Sequence, residues 1–144
     1  MQKIAIASDH GGIELKEDIK TFLKERGFDV LDMGTNGSES VDYPDYGVPL
    51  AEKVSKGELE KGILICGTGI GMSIAANKHN GIRAAVVESA ISAKLAREHN
   101  DANILVLPAR FIEESIAVDT LYTFLHTPFE GGRHARRLAQ LHRH

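Results

Sequence analysis

Residues 63–78 read ILICGTGIGMSIAANK: an apolar run ends at a cysteine, three glycines follow within five residues, and apolar residues then recur at helical spacing. This order predicts a buried strand, a tight turn and a helix, the unit from which parallel sheets are built. Glycines let the chain turn sharply and let a ligand approach the backbone closely. The stretch therefore predicts an α/β fold with its ligand site at the carboxyl end of this strand.

The same alternation of short apolar runs and helical patterns continues along the chain. Strands are predicted at 3–8, 28–34, 61–67, 82–89 and 103–109. Helices are predicted at 13–27, 48–58 (with Pro49 in its first turn), 71–81, 92–100 and 112–126, with another short helix near the C-terminus and a loop at 35–47. Because no domain boundary or repeat is evident, we expect residues 1–144 to form a single domain, a parallel sheet covered on both faces.

Composition narrows the class of partner. The net charge of −3 gives no reason to expect nucleic acid or an anionic membrane. No apolar run is long enough to cross a bilayer and the start lacks the apolar core of a signal peptide, so a cytoplasmic protein is expected. Residues 133–144 carry four arginines and three histidines without any acid, which indicates a local anion site.

Cys66, the single cysteine, stands where a strand meets the start of a helix. The first N–H groups of a helix lack internal partners and its dipole is positive there, so the corner suits an anion or a reaction's oxyanion. The same setting lowers the pKa of a thiol. The sequence leaves four interpretations of Cys66 open: a nucleophile, a redox sensor, a base, or a small buried hydrophobic residue.

Three further groups of polar residues stand at ends of predicted elements. Asp9 and His10 follow the first strand, and His99 and Asn100 end the fourth helix. Caps and dipole contacts explain such residues equally well. On a C-terminal helix, Arg133, His134 and Arg137 fall on one face and suit a phosphate dianion. The histidine spacings match no metal motif, so no metal is expected.

Six ordered motifs, read together, are highly specific: IASDHGG (6–12), DYPDYG (42–47), ILICGTGIGMSIAANK (63–78), IRAAV (82–86), LAREHNDANIL (95–105) and EGGRHARR (130–137). On these the chain resembles the RpiB/LacAB family of sugar-phosphate isomerases over nearly its whole length. The resemblance implies a Rossmann-like three-layer αβα sandwich around a five-stranded parallel sheet. It also implies interconversion of ribose 5-phosphate and ribulose 5-phosphate, without a metal or organic cofactor. A homodimer, or possible tetramer, is implied, with active sites shared between subunits and the C-terminal helix docked on a neighbouring subunit.

The resemblance also implies roles for individual residues. Cys66 matches the base that moves a proton between C1 and C2, and His99 the acid that helps open the furanose ring. Catalytic roles fall on Cys66, His99, Asp9 and Thr68. Substrate-binding roles fall on Asp9, His10, Tyr43, Gly67, Thr68, Gly69, Ile70, Gly71, Asn100, Arg110, Arg133, His134 and Arg137. A second branch of the family has a glutamate where this chain has Met72, so the chain resembles the cysteine branch.

Two alternatives to a pentose-phosphate isomerase remain. A six-carbon substrate, allose 6-phosphate or galactose 6-phosphate, requires only a longer pocket. A non-catalytic phosphosugar-binding module would keep the glycine turn and the arginines, but it gives no reason for Cys66 and His99.

Overall fold

Five parallel strands form a single sheet in a computed structural model, which describes residues 2–37 and 39–141. The strands are β1 Lys3–Ser8, β2 Asp29–Asp32, β3 Gly62–Cys66, β4 Ala84–Val86 and β5 Ile104–Pro108. Their order across the sheet is β2-β1-β3-β5-β4. The chain moves outward from β1 in both directions, so a crevice is expected where β1 and β3 end side by side.

Helices connect the strands and cover both faces of the sheet. They are α1 Ile13–Glu25, α2 Pro44–Ser55, α3 Ile70–Asn77, α4 Ala90–Asn100, α5 Glu114–His126 and α6 Arg133–Leu141, with a single 3₁₀ turn, His10–Gly12, before α1. The predicted three-layer α/β sandwich is confirmed.

Strand alternation divides the core into two layers. Ile63 and Ile65 of β3 face the layer of α1, α4 and α5, whereas Leu64 and Cys66 face the layer of α2 and α3. Successive side chains of a strand point to opposite faces, so one strand serves both cores. Cys66 is thus the last inward-facing side chain of β3 on the α2–α3 side.

The predicted loop at 35–47 extends four residues too far, and the predicted start of α2 at residue 48 is wrong. Helix α2 begins at Pro44, and Pro49 lies inside it rather than in its first turn. Proline at the first helical position loses no hydrogen bond, so the DYPDYG motif begins the helix. Gly47 allows α2 to pack tightly on α3, because a Cβ there would lie 2.6 Å from the sulfur of Met72.

Strand β4 is shorter than the predicted 82–89, and α4 begins two residues earlier than predicted. The amide of Asn77 brackets Ala84, accepting from its N–H at 2.8 Å and donating to its carbonyl at 3.0 Å. Ser89 caps α4 by accepting from the Ser92 N–H at 3.1 Å. Among the described residues, no helix has the length and apolar character needed to span a bilayer.

An ion-pair network fixes α1 against β2. The ammonium of Lys16 is fully buried and lies 2.8 and 2.9 Å from the two carboxylate oxygens of Asp32 and 2.6 Å from Asn36 Oδ1. Lys20 adds a bond of 2.7 Å to Asp32. Burial alone raises the pKa of Asp32, but the bonds from Lys16, Lys20 and the Gly34 N–H outweigh it and lower the pKa to about 2.

Candidate active site

The glycine turn after β3 has the geometry that its sequence predicts. Gly69 has φ +77°, a left-handed conformation that costs glycine little, and α3 begins at the next residue. The hydroxyl of Thr68 accepts from the Ile70 N–H at 3.2 Å, beside the first turn of the helix. The first amides of a helix have no intrahelical partner, so this turn is a position suited to negative charge.

The carboxyl ends of β1, β3 and β5 meet at this turn. The Asp9 N–H donates to the Ile65 carbonyl at 3.2 Å, and the Arg110 N–H donates to the Gly67 carbonyl at 3.0 Å. A Cβ added to Gly11 would lie 4.0 Å from the Gly67 nitrogen. The structure therefore brings the predicted first corner, the glycine turn and Arg110 together.

Asp9 and His10 are each held by one hydrogen bond. The Asp9 carboxylate accepts from the Gly11 N–H at 3.0 Å and so caps the 3₁₀ turn. Nδ1 of His10 accepts from the Val41 N–H at 3.1 Å. This bond fixes the tautomer with the proton on Nε2, and it makes Val41 a supporting residue that sequence patterns did not reveal.

Two side chains cover the turn from either side. A Cβ on Gly67 would lie 3.0 Å from Nε of Arg110, and a Cβ on Gly71 would lie 2.7 Å from the ring of Tyr43. Both glycines are therefore needed for close packing of a side chain on the backbone. Arg110 is exposed and makes no side-chain hydrogen bond within residues 2–37 and 39–141, so its guanidinium is available to an anion.

Cys66 is the last residue of β3 and lies at the start of the turn. Its side chain belongs to the α2–α3 core, and the residue is 5% exposed. Its carbonyl accepts from the Ala109 N–H at 2.9 Å, which ties the cysteine backbone to β5. Cys66 is thus a buried core residue at the carboxyl end of β3, where the glycine turn begins.

Four of the remaining predicted residues line a second cavity of about 550 Å³. It is formed by the end of α4 and one face of α6, and its lining is His99, Asn100, His134, Arg137, Leu138, Gln140 and Leu141. Arg133, predicted to share a face with His134 and Arg137, is exposed and is absent from this lining. Cys66 is absent from it as well.

His134 is the buried centre of this second cavity. The residue is 6% exposed, and its ring stacks on His99 with centroids 4.3 Å apart and planes inclined by 14°. Burial lowers the pKa of His134 below its usual range, and the neighbouring basic groups of His99 and Arg133 lower it further. A neutral imidazole near pH 7 follows.

The two groups of predicted site residues lie at opposite ends of the parallel strands. Cys66 ends β3 at the carboxyl edge, whereas α4 runs back across the sheet, so His99 lies just before the start of β5 at the amino edge. A five-residue strand spans about 13 Å, so one chain does not bring Cys66 and His99 into contact with the same small ligand.

Sequence patterns also missed Glu130. Its N–H donates to the Glu98 carbonyl at 3.1 Å, and its carboxylate lies 3.9 Å from Nε2 of His134. Glu130 and His134 are four positions apart, but the helix begins only at Arg133, so helical spacing alone gave no reason to pair them.

Comparison with known proteins places the chain in a family. Residues 4–141 match the family model described as Ribose/Galactose Isomerase. Ribose-5-phosphate isomerase B of Escherichia coli is 48% identical over 138 residues, covering 96% of this chain and 93% of that protein. The chain therefore belongs to this sugar-phosphate isomerase family.

Solved structures of relatives have the same fold. Ribose-5-phosphate isomerase B of Clostridium thermocellum superposes with a TM-score of 0.97 at 54% identity, covering 99% of this chain and 96% of that one. The enzyme of Mycoplasma genitalium, solved with bound ribulose-5-phosphate, superposes with a TM-score of 0.94 at 46% identity, covering 98% and 94%.

Proposed function

We propose that this protein interconverts ribose 5-phosphate and ribulose 5-phosphate through an enediolate, with Cys66 as the base. The observation that carries the proposal is the meeting of β1, β3 and β5 at a glycine turn that begins at Cys66 and is flanked by Arg110. The relatives named ribose-5-phosphate isomerase B support the choice of substrate.

The proposed chemistry begins at the carbon acid. The Cys66 thiolate takes the proton from C2 of the open-chain aldose and returns it to C1, while a proton passes from the C2 hydroxyl to O1. The amides of the turn from Gly67 to Gly71 stabilise the negative oxygen of the enediolate. Losing one such preorganised donor typically costs about 10²–10³ in rate. A proton transfer by a positioned side chain contributes about 10²–10⁴.

The other predicted site residues bind the phosphate and the sugar ring. The phosphate dianion is bound by Arg137, Arg133 and Arg110, with His134 and Asn100 beside it. Guanidinium groups suit this role because each can donate two parallel hydrogen bonds to a phosphate. His99 protonates the ring oxygen during opening, and Asp9, His10 and Tyr43 hold the hydroxyls. Because the phosphate does not react, its binding energy serves to position the carbons.

We propose that a second copy of the chain completes each site. The separation of Cys66 from His99 within one chain supports this, since the mechanism needs both at one sugar. Ile70 and Ile74 of α3, beside the turn, are 58% and 55% exposed, as expected of a helix covered in an assembly. A homodimer is the smallest such assembly, and a tetramer would keep the same shared sites.

The buried face of α6, His134 and Leu138, packs on α4 of its own chain, while Leu141 is 64% exposed. We propose that the exposed side of α6 docks on the second copy.

We also propose a cytoplasmic location for the protein, because phosphorylated sugars are charged and remain in the compartment where they form.

Two experiments test the function. A coupled assay compares ribose 5-phosphate with allose 6-phosphate and galactose 6-phosphate, and we expect kcat/KM to be highest for the pentose. A preference for either six-carbon substrate would replace ribose 5-phosphate with that sugar phosphate in the proposed function.

The other experiment uses the Cys66→Ala variant. This variant should lose at least about 10³ in kcat while calorimetry still detects sugar-phosphate binding. Unchanged turnover would remove Cys66 from the mechanism, and binding without turnover in the parent protein would favour the non-catalytic module.

A further inference from the structure

The cavity at the end of α4 brings together three side chains that suit a transition metal. His99, Glu130 and His134 each offer one ligand atom, and these atoms lie within 4.8 Å of one another. Two imidazoles and a carboxylate are a common ligand set for zinc, with a fourth position left to water. Hard ions such as magnesium and calcium prefer sites made of oxygen atoms.

The buried nitrogen of His134 is the second observation that points to a ligand. The side chain of His134 is 8% exposed, and its Nε2 is a buried polar atom without a hydrogen-bond partner among the described residues. An unpaired buried polar atom destabilises the folded chain, so a ligand that binds it is favoured. Glu130, at 3.9 Å, is too far away to satisfy it by a hydrogen bond.

We propose that His99, His134 and Glu130 form a binding site for a divalent transition-metal ion, with zinc as the best match, and that its occupation inhibits the enzyme. Metal binding is independent of the proposed function, whereas inhibition rests on it, because the ion would occupy the two histidines assigned to the substrate.

Binding requires small movements of the two more accessible ligands. Ligand atoms around tetrahedral zinc are about 3.4 Å apart for bonds of about 2.1 Å, so the carboxylate of exposed Glu130 must approach His134 by about half an ångström. In stacked rings the nitrogen lone pairs lie parallel and do not converge on one point. His99 must therefore also rotate before both imidazoles can bind one ion. His99 is only partly buried and makes no side-chain hydrogen bond within the described residues. Arg137 lines the same cavity, and its charge will weaken the affinity for a cation.

Direct binding is measured by titrating zinc chloride into the full-length chain by calorimetry. The background carries Cys66→Ala, His142→Gln and His144→Gln, so that neither the thiol nor the terminal histidines contribute. We expect one zinc per chain, and Glu130→Gln should weaken the affinity at least about tenfold. Glu98→Gln, which removes a neighbouring acid outside the group, should leave it unchanged. Absence of binding, or equal affinity in Glu130→Gln, would overturn the site.

Inhibition is measured on the chain with Cys66 intact. Zinc should raise the apparent KM for ribose 5-phosphate, and a chelator should reverse the effect. Glu130→Gln, measured against its own metal-free activity, should need at least about ten times more zinc for half-inhibition. Equal sensitivity of the parent and Glu130→Gln would place the inhibition at the thiol and overturn this part of the inference. If the chain lacks isomerase activity, the calorimetry still tests the site.

Discussion

At the residue scale, Gly71 shows how a missing side chain can serve a site. It lies in the first turn of α3 with helical backbone, so alanine fits the local conformation. An added Cβ would, however, lie 2.7 Å from the ring of Tyr43. Tyr43 is 38% exposed and can move away at little cost in stability. The glycine is therefore needed to keep Tyr43 over the turn, whereas α3 itself does not need a glycine at this position.

The first prediction follows from this contact. Gly71→Ala should lower kcat/KM for ribose 5-phosphate about tenfold while the thermal midpoint changes by no more than a few degrees. Gly37→Ala, at a loop position where a Cβ meets open space, is the matched control and should be neutral. In a Tyr43→Ala background, Gly71→Ala should have no further effect, and a full tenfold loss there would show that the turn itself was damaged.

The second prediction concerns the arginines of α6. Arg137 lines the cavity beside His134, whereas Arg136 does not. Arg137→Ala should raise KM at least about tenfold with little change in kcat, because uniform binding of a non-reacting phosphate is lost. Arg136→Ala removes the same charge one residue away and should leave KM within about twofold of the parent. Equal effects of the two substitutions would mean that only the net charge of the helix matters.

At the scale of elements, the contact between α1 and β2 depends on one carboxylate. The pKa of Asp32 is lowered from the usual value of 3.8 to about 2 by its lysine partners. A carboxyl group with a lowered folded-state pKa stabilises the fold above its unfolded pKa and loses that contribution as pH falls through the folded one. The shift corresponds to about 2 kcal/mol, lost between about pH 4 and pH 2.

Urea unfolding of the parent and of Asp32→Asn at pH 5 and pH 2.5 tests this third prediction. The substitution should cost about 3 kcal/mol at pH 5, because fully buried Lys16 loses its charged partner. The difference between the two proteins should shrink by about 1.5 kcal/mol at pH 2.5, where part of the Asp32 carboxyl group is still ionised. A constant difference at both pH values would mean that Asp32 does not titrate in this range.

Element types were predictable from sequence to different degrees. Apolar runs ending in glycine or polar residues predicted all five strands, because parallel strands buried on both faces read as continuous apolar segments. The start of α2 was not predicted, because proline, glycine and tyrosine in DYPDYG suggest a loop. The placement of Pro44 at the first helical position and the burial of Gly47 against Met72 override that pattern.

At the scale of the whole molecule, sequence patterns predicted that polar residues meet at the carboxyl ends of the strands, but they did not show that the candidate residues form two separate groups in one chain. Cys66 and Asp9 were predictable neighbours, because strand ends in a parallel sheet meet at one edge. The resemblance implied active sites shared between subunits, and the separation of Cys66 from His99 within one chain supports that proposal. The group of His99, Glu130 and His134 was not predictable, because its first and last members are 35 positions apart and no metal motif has that spacing.

The central claim is that Cys66 of one copy and His99 of another act on the same sugar. The most direct test co-expresses Cys66→Ala and His99→Ala chains with different tags and isolates the mixed dimer, each parent variant alone being nearly inactive. One of its two sites would then hold both native residues, so we predict about half of the parental turnover per dimer. A mixed dimer as inactive as its parents would show that each site is built from a single chain and would contradict the account.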